Sequence, residues 1–95
     1  MNDWSITVER ESRSPITKTG QLTEDKFRTL VSDLTGVLSR VAVNVGESMD
    51  YGALKVGATV TLTCDQNEPM INKAGELAFY KALEIMKDGY KELTE

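Results

Sequence analysis

Residues 53–64 read Ala53-Leu54-Lys55-Val56-Gly57-Ala58-Thr59-Val60-Thr61-Leu62-Thr63-Cys64, and their alternation decides the fold. Leu54, Val56, Ala58, Val60, Leu62 and Cys64 hold every second position, while Lys55, Gly57, Thr59, Thr61 and Thr63 fill the positions between. Side chains of an extended strand point to opposite faces in turn, so this is a strand with one apolar and one threonine-rich face. Such a strand belongs to an antiparallel sheet covered on one side. It is expected at the centre of the fold.

On its C-terminal side, Asp65-Gln66-Asn67-Glu68-Pro69 ends the strand and opens a helix with proline in the favoured first turn. At 100° per residue, Ile71, Gly75, Ala78, Ala82, Ile85, Met86 and Leu93 share one face, and Lys73, Glu76, Tyr80, Glu84, Lys87 and Lys91 lie opposite. The apolar face is rich in small residues, which lets the helix lie close to a sheet. On the N-terminal side, residues 41–46 fit two templates. A helical stripe can run through Val41, Ala42, Val45 and Met49, or Val41, Val43 and Val45 can form one face of a strand. Three β-branched residues in five favour the strand. Gly46 to Gly52 is then the loop of a hairpin, with Tyr51 at its tip.

Trp4, Ile6 and Val8 alternate with Ser5, Thr7 and Glu9, which predicts a half-buried strand over 4–9. Ile16 to Thr19 can pair back on it as a short edge strand after Pro15, with Gly20 breaking the pattern. Thr23 then offers an N-cap before Glu24 and Asp25. Phe27, Leu30, Val31, Leu34 and Leu38 follow at spacings of three and four, which predicts a helix over 24–39. The expected fold class is α+β: a small antiparallel sheet centred on strand 53–64, with two helices, about 24–39 and 69–92, packed on one face. The 95 residues suit one domain.

Composition narrows the function. Mean hydropathy is −0.31 and no apolar stretch approaches the roughly 18 residues of a membrane span. The opening Met-Asn-Asp-Trp-Ser has neither the basic region nor the apolar core of a signal peptide, so the expected location is the cytoplasm. The chain has no histidine and one cysteine, which removes the common Ser–His and Cys–His nucleophile pairs and the usual soft-metal ligands. Cys64 lies on the apolar parity of the central strand and reads as a small buried hydrophobe. Asp65, Gln66, Asn67 and Glu68 form an oxygen-rich turn, but not with the spacing of a calcium loop, and a strand-to-helix turn with capping side chains is the simpler reading. No metal, cofactor or catalytic residue is expected.

Net charge is −4. It collects at the C-terminal end, where seven acids in residues 65–95 face four lysines. Nucleic-acid binders rely on a basic face to neutralise phosphates, and none is evident here. Leu77 lies well off the apolar arc of the last helix and next to Tyr80, so the pair is expected at the surface among Glu76 and Glu84. Such an exposed apolar spot rimmed by charge suits a protein partner. The candidate contact residues are therefore Leu77, Tyr80, Glu76, Glu84 and the loop residue Tyr51.

The run from Tyr51 to Gln66, followed by the helix with Lys81-Ala82-Leu83-Glu84, resembles small uncharacterised proteins encoded by phages and prophages. In these a similar hairpin leads into a terminal amphipathic helix. The likeness covers about residues 51–93 and implies no site residue. It implies a phage-type accessory protein and nothing finer. Small size, acidity and the missing catalytic residues agree with one that binds stoichiometrically and is not an enzyme, in one concrete form an anti-CRISPR-like inhibitor of a bacterial defence complex. A protein partner is the first expectation, and a homo-oligomer is compatible with it. Nucleic-acid association in phage replication or recombination, with Lys18, Arg10, Arg13 and Lys55 gathered on one sheet face, is a rival. An oligomeric sponge for signalling nucleotides is another.

Overall fold

Among the residues that the computed structural model describes, 2–11, 13–31, 37–49 and 54–94, six elements follow one another. They are β1 (Asp3–Arg10), β2 (Ile16–Gln21), α1 (Asp25–Arg28), β3 (Leu38–Met49), β4 (Leu54–Asp65) and α2 (Glu68–Thr94). The strands form one sheet in the order β2-β1-β4-β3, with every neighbouring pair antiparallel. The architecture is the small α+β fold that the alternation of residues 53–64 predicts.

Parity organises the sheet. Val56, Ala58, Val60, Leu62 and Cys64 of β4 are buried, and the pairing sets Val8 opposite Val56 and Ile6 opposite Ala58. On the other side of β4, Val45, Val43 and Val41 stand opposite Ala58, Val60 and Leu62. That settles the ambiguous stretch as strand, since period two brings all three valines to the covered face while a helix would strand Val43. β3 also runs further than expected. Gly46 to Met49 pair with Gly57 to Leu54, so they extend the strand into the expected loop, and residues 50–53 lie outside the described residues. Likewise Gly20 belongs to β2 and does not end it.

The first helix is much shorter than its apolar spacing suggests. α1 is a single turn, Asp25–Arg28, and β3 begins at Leu38, while residues 32–36 lie outside the described residues. Its N-cap residue is Glu24, not Thr23, and no side chain caps it. Phe27 and Leu30 are fully buried, but Val31 and Leu38 are each about half exposed. Leu34 lies outside the described residues, and the other four residues at helical spacing are not one surface. A short turn sends two of them into the core.

Asn2 ties this turn to the sheet. Its carboxamide nitrogen donates to the Phe27 carbonyl at 2.9 Å, and its carboxamide oxygen accepts from the Thr63 N–H at 2.8 Å. Its own carbonyl accepts from the Leu22 N–H at 2.9 Å. Three separate segments thus share one residue, which supplies hydrogen-bond partners to part-buried backbone groups.

α2 starts where the sequence places it. Asn67 is its N-cap, with the side-chain oxygen accepting from the Met70 N–H at 3.0 Å. Its 27 residues span about 40 Å, the length of a 12-residue strand, so it can lie along the β3–β4 hairpin. Ala74, Ala78 and Ala82 are fully buried against β4, and their small side chains permit the close approach. At the far end Met86 joins a second cluster with Ile6, Val8, Val56 and Ala58. The opposite face of the sheet carries no helix among the described residues.

Candidate functional site

Two surfaces stand out, one on each side of the molecule. The first is the outward ridge of α2. Tyr80 is 62% exposed and Phe79 43%, and their rings meet edge to face with centroids 5.5 Å apart. Glu76 and Glu84 are exposed one turn before and one turn after Tyr80. An aromatic pair stiffened by mutual contact and rimmed by carboxylates offers low-entropy apolar area with a polar tip, the composition of a protein-contact centre.

Sequence reasoning placed Tyr80, Glu76 and Glu84 on this ridge, and it missed Phe79. Leu77 is not on the ridge. It is half-buried and packs against the cluster that contains Leu22, Phe27 and Leu30, so the expected exposed Leu77/Tyr80 pair does not form. The segment around α1 covers that flank of α2 and widens its apolar arc. Phe79 was legible only in retrospect: it lies about 100° from the centre of the buried face, where helical phase alone does not decide exposure. Tyr51 lies outside the described residues.

The flank on the Leu77 side is held by charge. The Lys81 ammonium donates to Glu24 at 2.8 Å and stands 3.5 Å from Glu84. The Lys81 side chain is only 16% exposed. Its hydrogen bond, with a backbone hydrogen bond behind it, holds the Glu24 carboxyl below its ordinary pKa. Burial acts to lower the pKa of Lys81, but the bonds and charges of Glu24 and Glu84 outweigh it and the net direction is upward.

The second surface is a shallow hollow of about 490 Å3 on the uncovered face of the sheet. Gly46 and Gly57 are opposite each other in the β3–β4 ladder and leave its floor without side chains. Ser5, Thr7, Thr59, Asn44 and Ser48 supply a rim of hydroxyls and one carboxamide, and Glu9 and Lys55, paired across β1 and β4, close one end. Such groups can donate and accept hydrogen bonds but include no activated nucleophile. The sequence puts Gly46 in the expected hairpin loop and Gly57 within the central strand. The register shows them as a pair, which a linear pattern does not reveal.

The basic residues expected to gather on one sheet face do not. Lys18 stands opposite Ile6 on the helix side of the sheet, whereas Lys55 belongs to the hollow on the other side. The Arg10 guanidinium is engaged with the Ser14 carbonyl, its Nη2 at 2.6 Å. Cys64 is fully buried, and burial, aided by the charge of Asp65, pushes its thiol pKa up, away from reactivity. The oxygen-rich turn after β4 acts as a cap through Asn67. Among the described residues, no helix is long and apolar enough to cross a membrane.

Comparison with protein families, curated proteins and solved structures finds no match to this chain.

Proposed function

We propose that this chain acts by stoichiometric, non-enzymatic binding to a protein partner through the outward ridge of α2. Its concrete form is a phage-type accessory protein that inhibits a bacterial defence complex. The observation that supports this reading is the exposed Phe79–Tyr80 pair between Glu76 and Glu84. Solvated aromatic pairs are costly on a surface with no use for them, and contact centres concentrate binding energy in such residues. The carboxylates on either side favour a partner whose apolar pocket has a basic rim. The lack of any histidine in the sequence agrees with a binder over a hydrolase or transferase.

The test is biological first and physical second. Expression of the chain in hosts with an active defence system, challenged with a phage that the system targets, is expected to restore plaque formation in at least one of them. Plating unchanged across a panel of CRISPR types and other defence systems overturns the inhibitor form. Where protection is lifted, the purified complex is expected to show a fixed stoichiometry by native mass spectrometry. Tyr80→Ala is expected to weaken binding by about 30-fold, equivalent to a contact centre worth about 2 kcal/mol. An unchanged affinity for both Phe79→Ala and Tyr80→Ala overturns the assignment of the surface.

A further inference from the structure

The two edges of the sheet are built differently. β2 has six residues, follows Pro15 and carries Lys18, and short length, proline and lysine are devices that keep an edge strand from pairing. β3 has 12 residues with no lysine or proline, and its charges are confined to Arg40 and Glu47. Among the described residues it pairs on one side only. The unguarded edge is also the longer one.

The residue order of β3 is symmetric about Val43. Val41, Val43 and Val45 face the helix side and are half-buried, and Ala42 and Asn44 face the other way. Residues directly opposite in an antiparallel pair project from the same face. A strand pairing with its own copy about a two-fold axis therefore sets one residue against itself. Centred on Val43, Val41 meets Val45 and every helix-side valine meets a valine. Centred on Asn44, Val41 meets Glu47; centred on Ala42, Val45 meets Ser39. The Val43 register also sets Arg40 opposite Gly46, where there is no side chain to displace, and brings no like charges face to face.

The helix above this edge has an apolar flank. Lys81, on the far flank of α2, reaches Glu24 and shares a concavity with Trp4 and Lys18 beside β1 and β2. The opposite flank, which carries Phe79 and Leu83, accordingly stands on the β3 side. Overlap of residues 38–48 makes a seam of about 37 Å. Taken over the full 18 Å thickness of the molecule, that seam bounds the contact at about 700 Å2 per copy, somewhat under the roughly 800 Å2 of a standard stable interface.

We propose that β3 is the interface of a two-fold homodimer, in which it pairs antiparallel with β3 of a second copy, Val43 opposite Val43, and continues the sheet across the seam. Arg40 of the partner subunit then enters the rim of the glycine-floored hollow beside Gly46. Tyr80, Glu76 and Glu84 remain outside the seam, whereas Phe79 of the ridge borders it; Tyr80→Ala therefore tests the ridge alone and Val43→Lys the seam alone.

Light scattering coupled to size exclusion is expected to give twice the 10.5 kDa of one chain. In a Cys64→Ala background, Val43→Cys is expected to form an intermolecular disulfide under mild oxidation. Val41→Cys or Val45→Cys alone is expected to cross-link poorly, while a mixture of the two cross-links well, because those positions face each other and not themselves. Val43→Lys is expected to yield a monomer with an unchanged circular dichroism spectrum. A monomeric mass at all concentrations overturns the proposal. So does a dimer that cross-links through Lys18→Cys on β2 and not through Val43→Cys, and strong self-linking of Val41→Cys overturns the register.

Discussion

Trp4 lies over Gly20 in the β1–β2 pair, so close that a Cβ at residue 20 would come within 2.5 Å of the indole ring. Glycine in a strand forfeits side-chain packing, and an aromatic ring on the opposed residue restores it. Gly20→Ala must displace the ring, and Gly20→Val must displace it further. The expected cost is about 1–2 kcal/mol for alanine and more for valine, within the range for overpacking. Trp4 is the sole tryptophan, so its fluorescence reports the site directly. A red shift that grows from alanine to valine is expected, alongside a falling urea midpoint. An unshifted spectrum with wild-type stability would show that the contact does not constrain residue 20.

Two glycines of α2 make an opposite pair. At Gly75 an added Cβ meets nothing within 4 Å, while at Gly89 it would stand 2.6 Å from the Ile6 Cδ1. Removing glycine from a helix interior stabilises by about 1 kcal/mol where space allows. Gly75→Ala is therefore expected to raise stability by nearly that amount. At Gly89 the same propensity gain is opposed by the push on Ile6, a fully buried side chain whose methyl has little room to retreat. Gly89→Ala is expected at or below wild-type stability. Urea denaturation of the two variants side by side separates them, and equal gains would sink the close approach of helix and strand.

How legible this molecule was depended on whether one element or two fixed each burial pattern. β4 could be read residue by residue because one face is covered along its whole length. α2 was legible from Ala78, Ala82 and Ile85 for the same reason. The stretch after Thr23 misled, since Phe27 and Leu30 have helical spacing yet reach the core from a single turn. Leu77 misled in the complementary way: the segment near Phe27 packs on its flank, and no periodicity within α2 contains that information. Of the candidate contact residues, Tyr80 and Glu76 point away from the sheet at any helix rotation consistent with the alanines, and Glu84 stays exposed although it borders the concavity with Trp4 and Lys18, so amphipathic phase sufficed. The hollow needed the strand register, which brings Gly46 to Gly57 only after folding.

At Gly57 the fold tolerates a side chain. Its Cβ would stand 3.8 Å from the Val45 carbonyl, ordinary contact, and the backbone there is not left-handed. A glycine inside a strand costs about 0.5–1 kcal/mol relative to alanine. Gly57→Ala is thus expected to stabilise the protein by about that amount, while Gly46→Ala, whose Cβ would lie 3.4 Å from the Val56 carbonyl, gains less. Both fill part of the hollow floor. Thermal denaturation measures the first effect. Loss of biological activity in a more stable Gly57→Ala variant would mark the hollow as a contact surface, and retained activity would leave the ridge of α2 as the working face.

The Lys81–Glu24 bridge gives stability a defined pH signature. The folded carboxyl of Glu24 titrates below its ordinary value of 4.5, chiefly because Lys81 donates to it. Its contribution is therefore present above that value and is lost as pH falls through the folded pKa. Lys81 is displaced upward from its ordinary 10.5, so its contribution is present below that value and is lost as pH rises through the folded pKa. Between the two the bridge contributes a constant amount. Glu24 is 44% exposed, which limits that amount to about 0.5–1 kcal/mol. Glu24→Gln is expected to lower the urea midpoint at neutral pH and to converge with wild type as pH falls well below 4.5. Added salt should narrow the neutral gap through screening. A gap that stays the same at low pH would trace the loss to packing of the altered side chain and not to the ion pair.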